Sequence, residues 1–239
     1  MRSLRALAFC YLLGSVVFVG AAGGQNTKSL RSTSGAKVAY EEFGASSAGC
    51  LIILHGASGP SVPLYRDQAS FFGAHGFHVL MPHYFDATGS TSPTPGNYQR
   101  WAEVAADFVS ECKRQPATRK VFVVGYSLGS SVALAAGSQK VAVDAIAEWY
   151  GSLPDEFFYQ MKGMPPLLIL HGERDTNIPI MNAQQLVKLC EMKRLHCDHH
   201  FYSDQGHGFV GKALDDADQR TLSFFGQYLA KGEQTSATH

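Results

Sequence analysis

Between residues 120 and 137 a run of β-branched and aromatic residues, Val121-Phe122-Val123-Val124, passes through Gly125-Tyr126-Ser127-Leu128-Gly129 into a stretch of small residues. That succession reads as a strand, a sharp turn and a helix. A residue at the apex of such a turn must take a strained backbone conformation, and the positions two away on either side must be small for strand and helix to approach. Gly125 and Gly129 meet that demand. The turn raises the Ser127 hydroxyl above the end of a sheet, and the start of the following helix directs backbone N–H groups toward developing negative charge. The competing reading of the same five residues is a serine that caps a helix in a tight turn, so the rest of the chain has to decide.

Short apolar runs at 37–43, 50–54, 77–81, 121–124, 145–150, 166–170 and 199–202 have the length and β-branched or aromatic content of strands, several of them buried on both faces. Helical patterns at 64–74, 98–114, 128–139, 180–194 and 214–231 separate them; in the second, Trp101, Val104, Ala105, Phe108 and Val109 recur at the spacing of one buried face. Strands alternating with helices predict an α/β fold with a mainly parallel sheet and helices on both faces. Such sheets place their chemistry in loops beyond the carboxyl ends of the strands. The chain is 239 residues long and 45% hydrophobic, which fits a single domain, expected over 36–232. A Gly, Ser and Thr-rich segment at 23–35 is expected to be a flexible lead-in, and 233–239 a disordered tail.

A serine hydroxyl is a weak nucleophile at neutral pH and needs a histidine base, which needs a carboxylate to fix its tautomer. The loop His171-Gly172-Glu173-Arg174-Asp175 follows a buried strand and offers Asp175 as the acid, with Glu173 its nearest competitor. A turn carboxylate capping the next helix is the plainer role for either. The last strand runs into Gly206-His207-Gly208-Phe209, where a histidine between two glycines has little packing reason to be there. His207 is therefore the expected base. The order Ser127, Asp175, His207 matches that of α/β-hydrolase triads. Two backbone N–H groups, of Leu128 and of Ala57 in His55-Gly56-Ala57-Ser58-Gly59, are the expected oxyanion hole. The long 82–97 loop, with Tyr84 and Phe85, is a candidate pocket wall, and Tyr126, Trp149, Tyr150 and Phe209 are further pocket candidates; core packing competes for every one of these rings.

On those motifs, residues 36–232 resemble the α/β-hydrolase superfamily and, within it, the compact dienelactone hydrolase-like group. The chain departs from that group's pattern in carrying Ser127 where dienelactone hydrolases proper use cysteine, and His55-Gly56-Ala57 where they carry a glutamate just after the early strand. The chain also looks like the catalytic domain of prolyl oligopeptidase-type peptidases, without the length for their gating propeller. The expected activity is a serine hydrolase that cleaves a carboxylic ester or related acyl bond through an acyl-enzyme. A small serine peptidase and a non-catalytic binding protein on the same fold are the alternatives. No large lid domain is expected, since only 15 residues, 151–165, separate two strands where many such hydrolases insert one. The partner is a small-molecule substrate, and no cofactor is expected.

Twenty Lys plus Arg balance twenty Asp plus Glu with no long basic run, which argues against nucleic acid as a partner. Arg2 and Arg5 precede a 15-residue apolar run at 6–20, followed by Ala21, Ala22 and Gly23, the pattern of a secretory signal peptide over 1–22. The run is shorter than the roughly 20 residues that cross a bilayer. Secretion or a periplasmic location follows, without a membrane span after cleavage; an uncleaved anchor is the alternative. Cys50, Cys112, Cys190 and Cys197 would then lie in an oxidising compartment and allow three full pairings. Cys190 with Cys197 is the preferred pair, against buried free thiols. The cluster His196-Cys197-Asp198-His199-His200 has metal-ligand residue types, but neighbours on a strand point to opposite faces, so no metal site is expected.

Overall fold

The computed structural model describes residues 27–234 apart from 46 and 48; the signal peptide expected over 1–22 and most of the expected tail lie outside the described residues. Eight strands form one sheet: β1 (Lys28–Arg31), β2 (Lys37–Phe43), β3 (Gly49–Leu54), β4 (Phe77–Pro82), β5 (Lys120–Tyr126), β6 (Ala145–Trp149), β7 (Leu167–Gly172) and β8 (Cys197–Tyr202). Their order across the sheet is β1-β2-β4-β3-β5-β6-β7-β8. β2 pairs antiparallel with both β1 and β4, and every other pairing is parallel. Five helices, α1 (Pro63–Ala74), α2 (Pro95–Arg114), α3 (Leu128–Ser138), α4 (Met181–Lys193) and α5 (Lys212–Gln234), complete the fold.

Strand alternation splits the apolar residues into two layers. In β5, Val121 and Val123 enter the core beneath α2, α3 and α4, while Phe122 and Val124 enter the core beneath α1 and α5. Central strands are apolar at successive positions because both faces are covered. The start of α2 is set by Thr94, whose hydroxyl accepts the Asn97 N–H at 3.2 Å, with Pro95 in the first turn. The 98–114 helix predicted from periodicity alone therefore begins three residues earlier.

One expectation is corrected. Residues 28–31, placed in a flexible lead-in, form edge strand β1, in register with β2 from Lys28 opposite Tyr40 to Arg31 opposite Lys37. The Ser, Thr and Gly residues behind that expectation make the hairpin turn instead: the Gly35 N–H donates to the Ser32 carbonyl and the Ser32 N–H to the Ala36 carbonyl, each at 2.8 Å. The Thr33 N–H and hydroxyl both donate to Asp107 on α2, which anchors the turn.

Among the described residues two disulfides are present. Cys190–Cys197 joins the end of α4 to β8, and Cys50–Cys112 joins β3 to α2 across 62 residues. Between β6 and β7 the chain holds only a short 3₁₀ turn, Asp155–Gln160. Among the described residues no helix is long and apolar enough to cross a membrane.

Candidate active site

The carboxyl ends of β3, β5, β6 and β7 converge on one rim of the sheet. At the end of β5 Ser127 takes φ 54° and ψ −119°, a conformation that costs of order 1–3 kcal/mol and persists only where its surroundings enforce it. They do so here. The Ser127 N–H donates to the Trp149 carbonyl at 3.0 Å, and the Ser127 carbonyl accepts from Ser130 N–H at 2.9 Å. A Cβ at Gly125 would collide with the Gly129 carbonyl, and one at Gly129 with the Leu54 carbonyl, so both flanking glycines are steric requirements of the turn.

Ser127 Oγ lies 2.7 Å from His207 Nε2, and His207 Nδ1 lies 2.8 Å from Asp175 Oδ2. A carboxylate only accepts, so Nδ1 carries the imidazole proton and Nε2 turns its lone pair to the serine O–H. Asp175 is held in turn: its Oδ1 accepts the Asn177 N–H at 2.8 Å and the Ile178 N–H at 2.9 Å. Its side chain is fully buried, while that of His207 is 22% exposed and open to the cleft. Glu173, the competing acid, is exposed. The Tyr150 ring packs edge-on to His207 at 5.2 Å, with Tyr150 itself at φ 44°.

Two buried histidines brace this rim, a role the sequence reading did not give them. His171 Nε2–H donates to the Ile178 carbonyl at 2.8 Å and so shapes the turn whose N–H groups hold Asp175. His55 Nδ1–H donates to the Gly56 carbonyl at 2.9 Å, and that oxygen also accepts from Gly59 N–H at 3.1 Å. Among the described residues no peptide bond is cis. The Gly56 carbonyl and the Ala57 N–H belong to one trans peptide unit, so fixing the first away from the cleft fixes the second in the opposite direction. Among the described residues neither the Ala57 nor the Leu128 N–H has an intramolecular acceptor. Burial pulls His55 down to about 4 and also lowers His171, so both rings are neutral at pH 7. The available signal was the pair of His-Gly steps, His55-Gly56 and His171-Gly172, each at or just beyond the end of a parallel strand.

A cleft of about 380 Å³ opens above Ser127, lined by Ala57, Leu64, Tyr65, Tyr150, Asn177, Ile178 and His207, among others. Of the six aromatic candidates, Tyr150 lines it and the other five do not; Phe85 packs against His55 and Trp101 instead. Tyr84, Tyr126 and Trp149 are fully buried and Phe209 nearly so. Tyr84 stacks on His55 and donates to its carbonyl at 2.7 Å; Tyr126 donates to Gln68 at 3.0 Å, and Trp149 to Thr221 at 3.1 Å. Phe209 packs against Trp149, Tyr150 and Tyr202. These four rings shape the site from beneath: Tyr126 and Trp149 end strands buried on both faces, and Tyr84 and Phe209 fold into the core from adjoining turns and loops. Glu148 is a further surprise: burial pushes this fully enclosed carboxyl up to about 8, and the charge of Asp175 adds to the effect. Its Oε1 accepts the Gly151 N–H at 3.0 Å.

A profile of the dienelactone hydrolase family matches residues 45–229. No curated protein matches the sequence. Among solved structures, the dienelactone hydrolase-like promiscuous phosphotriesterase P91 from metagenomic libraries superposes with a TM-score of 0.72 at 14% identity, covering 86% of this chain and 99% of that one. The Pyrococcus furiosus esterase Pf2001 gives 0.71 at 14% identity, covering 86% and 91%. Est1E from Butyrivibrio proteoclasticus gives 0.67 at 12% identity, covering 84% and 99%. At these identities the likeness carries the α/β-hydrolase fold, and the family match carries the esterase-type hydrolase class. The chain belongs to the dienelactone hydrolase family.

Proposed function

We propose that this protein is a secreted serine esterase in which Ser127, His207 and Asp175 form the catalytic triad. The observation that carries the reading is the unbroken chain of contacts from Ser127 Oγ through both nitrogens of His207 to Asp175. As Oγ bonds to the ester carbonyl carbon, its proton passes to His207 Nε2, and Asp175 stabilises the resulting imidazolium. The Ala57 and Leu128 N–H groups hold the oxyanion of the tetrahedral intermediate. Collapse breaks the bond to the alkoxy oxygen, which leaves as the alcohol with the Nε2 proton. Water then repeats the sequence on the acyl-enzyme, giving up a proton to His207 and releasing the acid and Ser127.

The cleft wall supports neutral substrates, since among the side chains lining it His207 is the one titratable group besides the phenols of Tyr65 and Tyr150. The short β6–β7 connection leaves the cleft uncovered, which favours short acyl groups over long buried chains. The two disulfides support an oxidising destination, in keeping with the apolar run at 6–20.

Turnover of p-nitrophenyl acetate by wild type and Ser127→Ala tests the reading. The variant is expected to lose about 10⁴-fold or more in kcat while keeping its fold. Equal turnover by both would refute the assignment. A proline-containing peptide amide cleaved faster than the ester would move the activity to the peptidase class.

A further inference from the structure

Among the polar groups at the cleft that the mechanism above leaves unused is the hydroxyl of Tyr65. This residue lies in the first turn of α1, is 7% exposed and packs its ring against Tyr126 at 5.6 Å. It lines the same cleft as Ala57, Ser127 and His207. Gly56 lies close to both the phenol and the nucleophile: a Cβ at that position would stand 2.6 Å from Tyr65 Oη and 3.4 Å from Ser127 Cβ. Any side chain at 56 would push the phenol away.

The phenol oxygen stands beside the Gly56 backbone, which favours its charged form. Its own O–H finds no acceptor among the described residues. Buried tyrosines ordinarily place the polar tip on a partner, so a donor left unspent at the mouth of a cleft is available to whatever binds there. Burial raises the phenol above its ordinary pKa of 10, which keeps the proton on the oxygen at neutral pH.

We infer that the Tyr65 hydroxyl is a catalytic hydrogen-bond donor that acts beside the Ala57 and Leu128 N–H groups on the acyl oxygen of the ester as negative charge builds there. The inference rests on Ser127 being the nucleophile. A donor aimed at a developing oxyanion strengthens as the oxygen charges, because the bond becomes charge-assisted. Its loss therefore appears in kcat rather than in KM.

Tyr65→Phe removes one oxygen and keeps the ring that packs on Tyr126. With p-nitrophenyl acetate, kcat is expected to fall by about 100-fold with KM little changed. Affinity for a trifluoromethyl ketone, which adds to the serine as a tetrahedral oxyanion, is expected to weaken by a similar factor. An unchanged kcat, or a rise in KM with ketone affinity retained, would overturn the role. Ser127→Ala measured alongside separates the two levels: turnover surviving in that variant refutes the nucleophile, whereas turnover surviving only in Tyr65→Phe refutes the hydroxyl.

Discussion

Glu148 gives the fold a pH dependence that one substitution removes. The carboxyl sits in β6 with no exposed surface; one oxygen accepts the Gly151 N–H, and the other has no partner among the described residues. Folding raises its pKa from the ordinary 4.5 to about 8, chiefly through burial. The folded chain thus binds this proton more tightly than the unfolded chain. The stability associated with the neutral acid is complete below pH 4.5, declines as pH rises toward 8 and is flat above that. Glutamine matches the protonated acid in shape and in presenting a donor at the second position, and it cannot ionise. Glu148→Gln should therefore be more stable than wild type by about 1 kcal/mol at pH 5, about 3 kcal/mol at pH 7 and about 5 kcal/mol at pH 9. Urea unfolding followed by tryptophan fluorescence, with the disulfides intact, reads the gap directly. Parallel stability profiles for the two proteins between pH 5 and 9 would refute the argument.

Three further outcomes follow from the packing. His55→Leu should lower kcat by up to about 100-fold by freeing the Gly56–Ala57 peptide, while His55→Asn, whose amide can reach the same carbonyl, should recover much of it; equal activity in the two variants would count against the brace. Replacing Cys50 and Cys112 together by alanine should cost about 4 kcal/mol for a 62-residue loop, against about 2 kcal/mol for the 7-residue loop of Cys190–Cys197, and denaturant midpoints would expose a reversed order. Gly129→Ala should abolish soluble expression or turnover, since its Cβ would strike the Leu54 carbonyl; a fully active, normally stable variant would contradict the geometry of the turn.

The parallel sheet was legible because β3, β5 and β7 are apolar at nearly every position, and that holds only for strands covered on both faces. That Ser127, Asp175 and His207 come together was legible because each follows the end of a strand in a glycine-containing turn or loop. Function in the α/β architecture collects at strand ends, so three such loops narrow the choice to a few side chains. Of the aromatic lining, Tyr150 was legible and Tyr65 was not. Periodicity says that Tyr126 and Trp149 are buried or exposed together with their strands, but not that the last residues before the rim still point into the core beneath α5. Local sequence makes Tyr84 part of a loop, since nothing near it announces the 3₁₀ turn that folds it onto His55. β1 escaped for a related reason: an exposed edge strand shows no apolar alternation, and the tie of the turn after it, from Thr33 to Asp107, spans 74 residues. Pairing Cys50 with Cys112 needed the packing of α2 on β3, which spacing does not encode. Glu148 carried a weak signal, a single acid within an otherwise apolar strand.

The proposed chemistry is tested most directly by intact-protein mass measurement after acid quench during turnover of a slow ester. A mass gain equal to one acyl group, mapped by peptide sequencing to Ser127 and lost in Ser127→Ala, is the predicted result. An adduct on another residue, or none while product still forms in a burst, would contradict the account.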